Sequence, residues 1–223
     1  RRCGYLYPVF SYVYDLYQKP LAMVEIGTSA GLQLLWDHYE YDYGDGGLYG
    51  CQGSNVKIHT TCRSGDPFLA QTVPPVMKRI GIDLKVVDLS DLESYDWLQA
   101  LIWPEHEERR ALFQQAAQVV QDSSLDLREG DGIGMLPEIT EELPEEVLMC
   151  VFHTHVANQF STEMKHQLEN ILKQISLKRD IVHIYNNMWD FNLHIDYAND
   201  GHWSYGTVGQ TDGHGSWFTW ELT

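Results

Sequence analysis

The stretch Met23-Val24-Glu25-Ile26-Gly27-Thr28-Ser29-Ala30-Gly31-Leu32-Gln33-Leu34-Leu35 decides how the rest of the chain is read. Met23 to Ile26 is the apolar run of a buried strand, broken only by Glu25. Gly27 to Gly31 is a turn of small residues. From there to Tyr39, Leu32, Leu35 and Trp36 share one face of an expected helix. A strand that feeds a helix through a glycine-rich turn presents backbone N–H groups at the helix start. Such a turn suits an anion or the ribose edge of a nucleotide.

Working outward, Leu6, Val9, Phe10, Val13, Leu16 and Tyr17 recur at helical spacing between Tyr5 and Gln18, and Pro20 stops the run. On the other side, Tyr39 to Phe68 is rich in Tyr and Gly. Val56 to Thr61 alternates like a strand, and Leu48 to Gln52 is expected to pair with it through Gly53-Ser54-Asn55. Residues from about 40 to 66 therefore read as a β-hairpin insertion over the edge of a cleft, either a substrate lid or a decorated loop.

Pro75 to Ile80 reads as a short helix and Leu84 to Asp88 as a second strand that closes on an acid. In nucleotide-binding sheets an acid at that strand end accepts hydrogen bonds from ribose hydroxyls. Asp88 and Asp91 are equally placed to cap a helix. Glu93 to Gln121 is helical with an interruption near Pro104. Trp97, Leu98, Leu101 and Ile102 give one apolar face; Leu112, Phe113, Ala116, Val119 and Val120 give another. Arg109 and Arg110 sit amid acids and read as solvated. Leu125 to Glu129 is a third strand, after which Asp131 either faces an adenine or serves a turn. A helix over Leu136 to Leu143 precedes Val147 to Phe152, an uninterrupted apolar strand buried on both faces. His153-Thr154-His155 follows it. Ser161 caps a helix to about Ser176, with Met164, Leu168, Ile171, Leu172 and Ile175 as its buried stripe. Asp180 to Tyr185 is a fifth strand. Two more are expected near Asn192–Tyr197 and Ser216–Leu222, joined by a glycine-rich stretch from Gly201 to Gly215.

The totals narrow the partners. With 223 residues, 43% of them hydrophobic, the chain can build one substantial core, and we expect one domain over 1–223. The net charge is −17 and the 15 Lys and Arg are not clustered, which argues against a nucleic-acid surface. No apolar run approaches the roughly 18 residues of a membrane span, and no signal-peptide pattern is visible. Cys3, Cys51, Cys62 and Cys150 show no CxxC spacing and read as free thiols of a cytoplasmic protein.

Strand and helix alternate along most of the chain, so the class is α/β with a mainly parallel sheet and helices on both faces. Ligands of such sheets sit at the carboxyl ends of the strands. Gly27, Ser29, Asp88, Asp131, His153 and His155 all fall at such ends. Three chemistries compete for them. Gly27-x-Ser29-x-Gly31 matches the nucleophile elbow of α/β-hydrolases, with Ser29 as nucleophile and Asp131, His153 or His214 as partners. Glu25 speaks against it, since an elbow strand is apolar there and burying an unpaired carboxylate is costly. His153-x-His155 projects two rings from one side if the strand continues, which with a carboxylate makes a metal site, although no HExxH spacing is present.

The third chemistry comes from resemblance. Glu25-x-Gly27-x-Ser29-x-Gly31 resembles the first motif of class I S-adenosylmethionine methyltransferases. EIGTSAGLQLLWDHYEYDYG (25–44), RIGIDLKVVDLSD (79–91), ALIWPEHEERR (100–110), LREGD (127–131), VFHTHV (151–156) and HGSWFTW (214–220) together resemble a bacterial family catalogued as a domain of unknown function with a methyltransferase-like Rossmann core. The resemblance implies a Rossmann-like sheet closed by an antiparallel hairpin, S-adenosylmethionine as cofactor and a further helical region ahead of Arg1. On that reading Glu25, Gly27, Thr28, Ser29, Gly31, Asp88 and Asp131 bind cofactor. His153 or His155 is then the base for a small-molecule substrate. A Rossmann-like binding protein without chemistry is the alternative, and a serine hydrolase the less favoured one.

Overall fold

The structure, a computed structural model, describes residues 1–222. Helix α1 (Cys3–Tyr17) leads into strand β1 (Leu21–Ile26), and a 3-10 helix (Leu32–His38) follows the turn. Four short strands come next: β2 (Glu40–Asp42), β3 (Tyr49–Gly50), β4 (Lys57–His59) and β5 (Thr61–Cys62). The chain returns through β6 (Val76–Asp83), α2 (Leu92–Ala100), α3 (Glu107–Gln121), β7 (Asp126–Glu129) and α4 (Leu136–Glu142). It ends with β8 (Leu148–His153), α5 (Thr162–Ser176), β9 (Ile181–Asn186), β10 (Asn192–Asn199), β11 (His202–Gln210) and β12 (Trp217–Phe218).

Seven strands form the central sheet in the order β11-β10-β9-β8-β1-β6-β7. The five from β9 to β7 are parallel, while β10 runs antiparallel to both of its neighbours. From β1 the chain first builds outward through β6 and β7, then returns to β8 and builds the other way. The order therefore reverses at the seam between β1 and β8. Ligand crevices of open α/β sheets form outside the carboxyl ends of such a seam.

Apolar residues alternate between two cores, which is why β1 and β8 carry almost continuous apolar runs. Leu21, Met23, Leu148, Cys150 and Phe152 pack under α1 and the 3-10 helix. Ala22, Val24, Met149 and Val151 pack against Leu136 and Ile139 of α4 and Leu168, Leu172 and Ile175 of α5. The buried face of α5 thus matches its periodicity, except that Met164 lies exposed at its start. Ser161 caps that helix by accepting from the Met164 N–H.

Several expected elements are different in the structure. Leu32–His38 is a 3-10 helix with non-helical angles at Leu35, and it buries Leu34, Leu35 and Trp36 side by side. Pro75 to Ile80 is not a helix, and Leu84 to Asp88 is not a strand: β6 spans Val76–Asp83. Its exposed Met77 and Lys78 disguise it. Neighbouring β7 pairs only with Ile80 to Asp83, so the first half of β6 borders solvent on that side. The insertion is not a hairpin either. Tyr49–Gly50 and Lys57–His59 do not pair with each other; both flank Glu40–Asp42, one antiparallel and one parallel. Glu40 fixes this arrangement by accepting the Gly53 N–H at 2.7 Å and pairing with Lys57 at 3.2 Å. Finally, the closing hairpin pairs β10 with His202–Gln210, inside the stretch expected to be a connection. Asp200 and Gly201, at φ of 49° and 77°, make its tight turn. Trp217–Phe218 pairs with Thr61–Cys62 instead.

Candidate functional site

Glu25, one residue before the end of β1 at the seam, is 1% exposed. The Thr28 hydroxyl donates to its Oε2 at 2.7 Å, and the Gln33 amide donates to its Oε1 at 2.8 Å. The Gln33 amide also meets the Thr154 hydroxyl beyond β8 at 3.1 Å, so one side-chain chain ties β1, the turn and β8 together. Burial pushes the Glu25 carboxyl up to about 8, against the pull of these two hydrogen bonds. Glu25 therefore orders the loop and stays largely protonated at neutral pH. Its partner across the β1–β6 pair is Gly81, where a Cβ would stand 2.5 Å from the Thr28 hydroxyl. The bare backbone at Gly81 is what lets Thr28 reach the carboxyl.

The turn alternates through left-handed backbone at Gly27 (φ 75°), Ser29 (φ 54°) and Gly31 (φ 76°). A Cβ on Gly27 would lie 2.3 Å from Val156. Glycine at this position therefore serves close packing against the loop after β8, as well as left-handed φ. The Ser29 N–H donates to Asp83 Oδ2 at 2.8 Å. Asp83 is the acid that closes the second parallel strand, the place expected for Asp88. Asp88 lies exposed five residues further on, its Oδ1 taken by the Ser90 N–H at 2.8 Å, and Asp91 caps α2. Asp131 lies two residues beyond β7, outside the cavity lining, and its Oδ1 accepts the Ile133 N–H at 3.1 Å as in a local turn.

A cavity of about 550 Å³ opens against this turn, with Gly27, Thr28, Ser29 and Gln33 in its wall. Tyr39, Val56 and Ile58 from the insertion line a second side. Leu98, Ile102 and Phe113 from the α2–α3 region line a third, while Arg1, Arg2 and Arg109 add positive charge beside His214. The insertion is thus part of the site's enclosure.

The two histidines expected as bases part company. Strand β8 stops at His153, and His155 adopts left-handed backbone at φ 57°. His153 is fully buried on the α5 side, its Nε2 3.0 Å from the Nε2 of His183. Burial lowers it to about 3. The His155 ring accepts from the Asn187 amide at 2.8 Å, and burial, followed by the charges of Arg2 and His214, lowers it to about 4. Neither ring lines the cavity. The expected pairing fails because the strand ends two residues too soon to put both rings on one face. Among the described residues no histidine hydrogen-bonds the Ser29 hydroxyl, so no Ser–His dyad is assembled, and no three His, Cys, Asp or Glu side chains converge to hold a metal. All four cysteines are unpaired, as expected. No helix of the described residues is long and apolar enough to cross a membrane.

Sequence reasoning misses Asp83, Gln33, Thr154 and the three arginines. Asp83 is hidden by the misread strand boundary. Gln33 and Thr154 carry ordinary polar side chains whose meeting depends on the β1–β8 seam. Arg109 reads as solvated because Glu107 and Glu108 precede it, although it lines the cavity.

Residues 1–220 match the family described as uncharacterized protein conserved in bacteria (DUF2332). The chain belongs to this family. For this DUF2332 member, no curated protein and no solved structure gives a match. Family membership agrees with the resemblance to a bacterial family of unknown function, while the match says nothing of a methyltransferase-like core, and the site must be read from its own geometry.

Proposed function

We propose that this chain is a Rossmann-like domain that binds S-adenosylmethionine and transfers its methyl group to a small molecule. The observation that carries the reading is the cavity's position, against the Gly27–Gly31 turn at the strand-order reversal between β1 and β8. The residues present are compatible with that cofactor. Small side chains at the turn let a ligand approach the backbone. Asp83, which holds the Ser29 N–H from outside the cavity wall, has lone pairs left after serving Ser29 and Lys85 for ribose hydroxyls that reach past the turn. Leu98 and Phe113 offer an apolar wall for a base, and Arg2 a partner for a carboxylate. Bound S-adenosylmethionine would supply an electrophilic methyl group. The chain's task is then to hold an acceptor in line with it and to keep water out. Because His153 and His155 stand outside the cavity, an acceptor that has no proton to lose suits this site best.

Binding without transfer is the second reading, and the same absence of a cavity-lining base among the expected histidines favours it. Calorimetric titration with S-adenosylmethionine and its demethylated product tests the binding step. Heat with one-to-one stoichiometry is expected. A folded protein that gives no heat at millimolar ligand would overturn the cofactor assignment.

A further inference from the structure

The charge of the cavity runs against that of the chain. The sequence has 32 acids against 15 Lys and Arg. The cavity reverses this balance: it is lined by Arg1, Arg2 and Arg109 with His214, and by no Asp or Glu. Glu25 lies behind the turn rather than in the wall, and burial keeps its carboxyl largely protonated.

The arginines are also under-used by the protein. The Nε of Arg1 is buried with no hydrogen-bond partner. Its Nη2 reaches only Glu108, at 3.4 Å, an acid whose side chain is 91% exposed. Arg2 donates its Nε to the Gly213 carbonyl at 3.1 Å, and its other two nitrogens make no hydrogen bond among the described residues. Arg109 makes no ion pair or side-chain hydrogen bond among the described residues. Like charges gathered beside an apolar wall repel. His214 registers this. Burial lowers its basicity first, and the charge of Arg109 next. A bound anion would relieve the repulsion and satisfy the free guanidinium N–H groups in the manner of other charge-assisted hydrogen bonds.

We infer that the cavity takes an organic acid, a carboxylate or phosphate monoester on an apolar body, with its anionic head between Arg1 and Arg109 and its body against Val56 and Ile58. The inference deepens the proposed function by naming the acceptor's class, and rests on that cavity being the ligand site. It also agrees with the need for an acceptor that has already lost its proton.

The test titrates the chain calorimetrically with sodium octanoate, octyl phosphate and uncharged octanamide, without S-adenosylmethionine. At least one of the two anions should bind one to one, and octanamide at least tenfold more weakly. The stronger anion identifies the head group. Arg109→Gln should weaken that anion at least tenfold, and raised salt should weaken it too. Lys178→Gln, at a surface pair with Glu141 on the α5 side, should leave it unchanged. Equal binding of octanamide, no binding of either anion, or an unchanged affinity in Arg109→Gln would overturn the inference. Because S-adenosylmethionine is absent, its own failure to bind would remove the cofactor assignment while leaving anion binding measurable.

Discussion

The Thr28 hydroxyl donates to the buried carboxyl of Glu25 across 2.7 Å, and this bond fixes the turn on which the cavity is built. The carboxyl's proton affinity follows from the same burial.

Because burial raises Glu25 from its ordinary 4.5 to about 8, the folded state holds a proton that the unfolded state releases. Stability should therefore fall as pH rises from about 4.5 to about 8 and level off above. Each tenfold change in proton affinity corresponds to about 1.4 kcal/mol, so the whole effect is on the order of several kcal/mol. Glu25→Gln, which cannot ionise, should flatten this slope. Urea unfolding of both proteins across that range measures it; parallel slopes would refute the assignment.

The buried His153–His183 pair has the opposite pH dependence. Burial lowers His153 to about 3, so both rings are neutral in the folded protein, while the unfolded chain binds protons below about 6.5. Stability from this pair is complete above 6.5 and is lost as pH falls from there toward 3. His183→Leu leaves the His153 Nε2 without its partner and should cost about 1–3 kcal/mol at neutral pH. Its stability should also fall less steeply on acidification than that of the parent, as read by urea midpoints at pH 7 and 5. Methyl transfer, where it is measured, should not acquire the pH profile of this pair, because neither ring reaches the cavity.

Gly27→Ala should destabilise through two separable causes. Left-handed φ disfavours any Cβ, and this Cβ would overlap Val156. Together these should cost roughly 2–4 kcal/mol. Adding Val156→Ala removes the overlap but not the backbone cost, so the double variant should recover only part of the loss. Full recovery, or none, in denaturant unfolding would show that one of the two causes is absent.

The strand–turn motif, the two-layer helix cover and most element positions are legible in the sequence, because apolar periodicity reports burial directly. Val147 to Phe152 can only be a doubly buried strand, and it is. Strand partners are not legible. Glu40 sits between two short strands that look made for one another, and nothing local says that it pairs with both. The Asp200-Gly201 turn is a readable hairpin signal that the surrounding glycines obscure. At the site, Glu25 and the glycines stand out by type. Asp83 is lost to a strand boundary, and Arg109 joins Arg1 and Arg2 only through folding.

Asp83 and Asp88 also separate two positions for the ribose. Asp83→Ala removes the acceptor of the Ser29 N–H and should weaken S-adenosylmethionine binding at least tenfold, about the effect of one charged hydrogen bond. Asp88→Ala, which loses only an exposed turn contact, should leave it within about twofold. Calorimetry on the two variants decides between them, and the reverse ranking would restore Asp88 to the site.

The most direct test of the central claim is a crystal structure with S-adenosylhomocysteine, the demethylated cofactor. The ligand is expected in the cavity against Gly27 to Ser29, with its ribose hydroxyls within hydrogen-bonding reach of Asp83. A ligand bound elsewhere, such as in the groove between α4 and α5, or a cavity that stays empty at saturating ligand, would contradict the claim.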